Sequence, residues 1–149
     1  MRIHLATDHA GFEVKNAVAA HLRGLGHEVV DYGAHVFDAL DDYPPFCFEA
    51  ATAVAEDPQS LGFVFGGSGN GEQIAANKVT GIRAALLWST QIAQLAREHN
   101  DANVGAIGAR QHPLADVLAM VETFVATPFS GNERHARRIG LLDEYEAGR

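Results

Sequence analysis

Short apolar runs alternate with longer stretches of helical spacing along this chain. Arg2-Ile3-His4-Leu5-Ala6-Thr7 is compact and mostly apolar, which predicts a buried first strand. Asp8-His9-Ala10-Gly11 interrupts it, and apolar positions at Phe12, Val14, Val18, Ala19, Leu22 and Leu25 then predict a helix closed by Gly24 and Gly26. His27 to Gly33 predicts a second strand. From Ala34 to Asp42 no period persists and acids collect, which predicts a loop ending at Tyr43-Pro44-Pro45. Helical spacing resumes from about Phe46 to Glu56 and stops near Asp57-Pro58.

Leu61 to Phe65 predicts a third strand, followed by a glycine turn and a helix to about Lys78. Ile82 to Trp88 predicts a fourth strand, and Ser89 or Thr90 caps a helix ending around Glu98-His99-Asn100. Asn103 to Gly108 is a short fifth strand, and His112-Pro113 starts a helix through Phe124 or Val125. An amphipathic helix from about Asn132 to Tyr145 comes last. Five strands alternating with helices predict an α/β fold with three α/β/α layers: a Rossmann-like, five-stranded parallel sheet and a C-terminal helix. No internal repeat or low-complexity linker divides residues 1–149, so one domain is expected. In such sheets ligands bind beyond the carboxyl ends of the strands. That directs attention to Asp8-His9, Gly67 to Glu72, Ser89-Thr90 and Gly108 to His112.

Composition narrows the classes. The chain is 47% hydrophobic and 20% charged, an ordinary globular balance, and its net charge of −8 argues against a nucleic-acid-binding face. No run of about 18 apolar residues and no charged-then-apolar leader is present, so a soluble cytoplasmic protein away from membranes is expected. Cys47 is the single cysteine; set among Phe46, Phe48 and Ala50, it reads as a buried small hydrophobe.

Gly66-Gly67-Ser68-Gly69-Asn70-Gly71-Glu72-Gln73 is the richest candidate site. Strand, glycine turn and helix build an anion site, because glycines let backbone approach a ligand and first-turn N–H groups point at its charge. The same residues also suit a plain tight turn, Glu72 a helix dipole, and Asn70 with Gln73 a variant capping box. Asp8 and His9 lie at the same sheet edge but equally suit a helix cap. His99 and Asn100 close a helix, where a histidine is favoured as a proton donor or as a simple terminal cation, and Asn100 as a cap. Arg134, Arg137 and Arg138 form a basic cluster in a chain with only 11 Lys and Arg; positions 134 and 138 share a face, with His135 close by. Such a cluster is either a solvated face or a grip for phosphate, which Arg110 can join. No spacing of His, Cys or Asp suggests a metal, since Asp38, Asp41 and Asp42 lack the Gly and distal Glu of a calcium loop. For Glu72 two effects oppose each other: the helix start lowers a carboxylate's pKa, and burial beneath a substrate raises it. Desolvation is expected to prevail once substrate closes the site.

Taken together, Ala6-Thr7-Asp8-His9-Ala10-Gly11-Phe12, Asp42-Tyr43-Pro44, Gly66 to Lys78, Glu98-His99-Asn100 and Arg134 to Arg138 resemble ribose-5-phosphate isomerase type B. They occur in that family's order over nearly the whole chain, and the broader family includes galactose-6-phosphate and allose-6-phosphate isomerases. The resemblance implies interconversion of D-ribose 5-phosphate and D-ribulose 5-phosphate through a cis-enediolate, a step of the pentose phosphate pathway, without metal or organic cofactor. Many members carry a cysteine base just after the third strand, where this chain has Gly66. The Gly-Gly-Ser-Gly-Asn-Gly-Glu sequence is instead similar to the actinobacterial branch, which implies Glu72 as the base. By the same resemblance His99 donates a proton to open the furanose, supported by Asp8. Ser68 and the backbone of Gly67, Gly69, Asn70 and Gly71 hold the enediolate. His9 and Asn100 contact substrate, Arg110, Arg134 and Arg138 bind its phosphate, and Tyr43 lines the pocket. Homodimers or tetramers with sites between subunits are also implied.

Two other readings remain open at the level of sequence. The same chemistry can serve another sugar phosphate, such as allose 6-phosphate, galactose 6-phosphate or a tetrulose 4-phosphate. A non-catalytic phosphate- or nucleotide-binding module shares the fold class, although the Gly66–Gly71 loop lacks a P-loop's Gly-Lys-Ser/Thr ending.

Overall fold

The computed structural model describes residues 1–148. Five strands form one parallel sheet: β1 (Arg2–Thr7), β2 (Glu28–Asp31), β3 (Leu61–Gly66), β4 (Ala84–Leu87) and β5 (Val104–Gly108), in the order β2-β1-β3-β5-β4. Helices α1 (Phe12–Gly24), α2 (Tyr43–Glu56), α3 (Asn70–Ala76), α4 (Thr90–Asn100), α5 (Leu114–Ala126) and α6 (Glu133–Ala147) complete the fold. A 3-10 turn, His9–Gly11, joins β1 to α1.

The central strands are buried on both faces, which is why they read as continuous apolar runs. On one face Ile3, Leu5, Phe63, Phe65, Leu87 and Ile107 pack against Val18 and Leu22 of α1, Ala93 of α4, and Val117, Val121 and Phe124 of α5. On the other, the smaller Ala6, Val64, Ala84 and Ala106 meet Cys47, Ala50, Ala51 and Val54 of α2 and Ala75 and Ala76 of α3. The alternation within β3, with Phe63 and Phe65 on one face and Val64 on the other, is the period of a strand. Cys47 is fully buried and burial pushes its thiol up, so it behaves as the small hydrophobe expected.

Two local expectations need correction. Helix α2 starts at Tyr43 rather than about Phe46, with Pro44 and Pro45 inside its first turn. The first-turn N–H groups have no intrahelical partner, so prolines cost nothing there. The capping box of Asn70 and Gln73 does not form. Gly69 is the residue preceding α3, at φ 82, and Gln73 Nε2 donates instead to the Ala84 carbonyl. A left-handed backbone against Gly108 N, which lies 2.9 Å from where a Cβ would stand, admits only glycine at position 69.

The exit from β2 is tied down by an ion pair whose lysine is buried. Lys15, fully buried, donates to both Asp31 oxygens and to the Ala34 carbonyl, while Ala34 N and Thr7 N bond across to Thr7 O and Gly33 O. This fixes where the loop of residues 35–42 leaves the sheet.

Candidate active site

Strand order reverses between β1 and β3: the chain leaves β1 for one edge at β2 and returns to β3 on the other side. A crevice opens at such a switch point beyond the strand ends. Thr7 Oγ1 donates to Phe65 O at 2.9 Å, locking the two strand ends together. From them emerge Asp8-His9 and the Gly66–Glu72 turn.

Glu72, in the first turn of α3, is 4% exposed. Its carboxylate reaches back beneath Gly66: a Cβ added there would overlap Glu72 Oε1 and Cδ. The space a side chain at position 66 would enter is therefore filled by this carboxylate. Burial raises the Glu72 pKa above its ordinary value, a backbone hydrogen bond opposes that, and the Asp8 charge adds to it. The opposition expected at Glu72 thus resolves in favour of desolvation in the unliganded chain already, with the protein itself supplying the burial.

Ser68 stands exposed at the turn, with Asn70 N and Nδ2 pointing at its Oγ from 3.3 and 3.2 Å. Gly67 O accepts from Arg110 N, and the Arg110 side chain and Ala10 Cβ each lie beside Gly67. The Tyr43 ring lies against Gly71, where a Cβ would come 2.7 Å from its hydroxyl. Asp8 caps the 3-10 turn by accepting from Ala10 N. One rim therefore carries Asp8, His9, Tyr43, Gly67 to Gly71, Glu72 and the exposed Arg110. Asp8, His9 and Asp41 each bring a donor atom within 4.8 Å of the others. Such a trio is geometrically able to meet a cation, but His9 Nδ1 and Asp41 Oδ1 are already engaged with each other at 2.7 Å.

The other expected site residues lie elsewhere. Helix α4 starts after the carboxyl end of β4 and runs back antiparallel to it for 11 residues, about 16 Å. Its last residue, Asn100, offers its carbonyl to Arg83 Nε at the amino end of β4. Asp101, in left-handed conformation at φ 43, closes α4, so Asn100 is its last residue and not the cap. His99 packs against His135 of α6 with ring centroids 4.3 Å apart and planes tilted by 39°. Burial, then the His99, Arg134 and Arg138 charges, lower the His135 pKa, and Ser130 Oγ lies 2.9 Å from its Nδ1. Arg134 and Arg138 are exposed, whereas Arg137 pairs with Glu133 one turn away. His99, Asn100, Arg134 and Arg138 form a second group at the opposite end of the sheet from Glu72. A cavity of about 540 Å³ lies on the open β4 edge near that group, lined by Gln73, Asn77, Arg83, Asn100, Leu142 and Glu146 among others.

One neighbour of the site was missed at the level of sequence. Asp41 sits in the aperiodic loop, where three acids in five residues gave no sign that one of them meets His9. The separation of the site into two groups was equally hidden, because strand and helix order does not by itself measure distance.

A family model described as Ribose/Galactose Isomerase matches residues 3–142. The chain is 59% identical to ribose-5-phosphate isomerase B of Mycolicibacterium paratuberculosis over 98% of its own length and 92% of the relative's. It is 58% identical to the protein of that name from Mycobacterium tuberculosis, over 98% and 90%. A crystal structure of ribose-5-phosphate isomerase B from Mycoplasma genitalium, with bound ribulose-5-phosphate, superposes with a TM-score of 0.96 at 39% identity, covering 99% of this chain and 97% of that one. On this similarity over nearly its full length, the chain belongs to the ribose/galactose isomerase family.

Proposed function

We propose that the protein interconverts D-ribose 5-phosphate and D-ribulose 5-phosphate by proton transfer through a cis-enediolate, with Glu72 as the base. The observation that carries this reading is the buried Glu72 carboxylate at the switch point, held beneath Gly66 with its pKa raised by burial. A base with a raised pKa is better matched to a neutral operating pH. The names of the relatives agree with it.

The isomerisation moves one proton from C2 to C1 and one from O2 to O1, with no net change in atoms or electrons. Glu72 takes the C2 proton of the open-chain aldose and returns it to C1. Negative charge develops on the enediolate oxygens meanwhile, and Ser68 with the backbone of Gly67 to Gly71 supplies donors for it. His99 protonates the ring oxygen in the preceding ring opening. Asp8 supports that opening, His9 and Asn100 contact the sugar, and Arg110, Arg134 and Arg138 hold the phosphate.

These roles require two chains. Glu72 and His99 lie at opposite ends of one sheet, so a complete site needs Glu72, Asp8 and Arg110 from one subunit and His99, Asn100, Arg134 and Arg138 from another. Exposed Trp88, Leu141 and Leu142, 57–60% accessible, lie on the β4 exit and α6 and are suited to covering by a second copy. The working form is accordingly a homodimer, or a tetramer built from it. The cytoplasm suits the reaction and the free, buried Cys47.

Glu72→Gln, confirmed folded, is expected to abolish exchange of the substrate's C2 proton with solvent. Near wild-type exchange would remove Glu72 from the role of base. Parallel assays on ribose 5-phosphate, allose 6-phosphate and erythrulose 4-phosphate should give the largest kcat/KM for the first.

A further inference from the structure

The loop of residues 35–42 returns to the site through two side chains, Asp41 and Phe37. Asp41 Oδ1 accepts from the His9 backbone N–H at 2.9 Å and lies 2.7 Å from His9 Nδ1. The backbone bond alone would anchor the loop, and the ring contact is what it does not need for that. Phe37 meets the His9 ring edge-on, centroids 6.3 Å apart and planes at 90°, and Phe12 backs Phe37 in turn. The ring is thus held in orientation by a carboxylate at Nδ1 and an aromatic edge beside it. Asp8 Oδ2 stands farther off, at 3.9 Å.

We propose that Asp41 is a positioning residue for His9, fixing a proton on Nδ1 and thereby presenting Nε2 to the sugar phosphate. An ionised carboxylate has no hydrogen to give, so the hydrogen between Asp41 Oδ1 and Nδ1 belongs to the imidazole. In the neutral ring Nε2 is then left as an acceptor for a substrate hydroxyl. The orientation of a working imidazole through its second nitrogen is a general device. The other Asp41 oxygen, Oδ2, is buried without a hydrogen-bond partner. A buried orphan acceptor is destabilising, so the carboxylate is better explained by its service to His9 than by the stability of the loop. The proposal rests on the reading that His9 contacts substrate.

Two readouts test it. In 15N NMR of the wild type, with the His9 signals assigned by their loss in His9→Gln, the neutral His9 ring should be protonated on Nδ1 and bare on Nε2. Asp41→Asn keeps an acceptor for the backbone N–H, so the chain should fold, but it removes the charge that strengthens the bond to Nδ1–H, and the tautomer should shift towards Nε2–H. kcat/KM for ribose 5-phosphate should then fall on the order of 10- to 100-fold, as when carboxylates that orient metal-binding histidines are removed. In a His9→Gln background the same substitution should cause no further fall, because Asp41 acts through His9. An Nε2-protonated ring in the wild type, an unchanged tautomer in Asp41→Asn, or additive losses in the double variant would each overturn the proposal. Inactivity of the wild type on every sugar phosphate would instead sink the isomerase reading, and the tautomer result would still decide whether Asp41 positions the ring.

Discussion

Glu72 and His4 are buried ionisable side chains that contribute to the pH behaviour expected of this protein, for related reasons. Burial disfavours the charged form of each, raising the carboxylate and lowering the imidazole. At Glu72 that burial has a use in the proposed reaction, in which the group accepts a proton. At His4 it has none in the proposed reaction: the ring lies 4% exposed in β1 beside Tyr32, and neither nitrogen has a hydrogen-bond partner. Since the folded-state pKa of His4 lies below 6.5, the unfolded chain takes up the proton first as pH falls. The stability linked to His4 is therefore complete above pH 6.5 and is lost as pH drops through 6.5 towards the folded value. His4→Leu should lessen the fall in melting temperature between pH 7.5 and pH 5.5. An unchanged fall would mean that other groups carry it. The alternation of Ile3, His4 and Leu5 with Ala6 makes strand burial readable, but not that this histidine would be left without partners. Nor does the sequence tell which of Asp38, Asp41 and Asp42 turns inward, since an aperiodic loop has no face to assign.

At the scale of elements, apolar spacing and glycine punctuation made all five strands and six helices legible, with errors confined to their ends. The late start assigned to α2 arose from reading Pro44-Pro45 as a breaker, when the first turn of a helix is where proline is tolerated. The junction of β3 with α3 was legible as an anion loop but not as a compartment for Glu72. That depended on Gly66 lacking a side chain, since its absent Cβ makes the room the carboxylate occupies. Gly66→Ala should expel the carboxylate from that position while leaving the Arg110 side of the rim in place. The expected result is a fall in kcat on the order of 100-fold, the scale of a 1 Å misplacement, with a much smaller change in KM. An equal loss through KM alone would show that Glu72 does not depend on this space.

At the scale of the whole molecule, the residues named from the sequence divide into two groups separated by the length of the sheet. The resemblance implied sites between subunits, and under the proposed roles the direction of α4 supplies a physical reason: a helix returning antiparallel to β4 carries His99 to the end of the sheet away from its own Glu72. Mixing two inactive variants tests this directly. Glu72→Gln and His99→Ala subunits, unfolded together and refolded in equal amounts, should assemble half of all dimers as hybrids. Each hybrid has one site with both residues intact and one with neither. Recovery of about a quarter of wild-type activity on ribose 5-phosphate is expected, from two-fold symmetric dimers that exchange at random. A mixture no more active than its separately refolded components would contradict it.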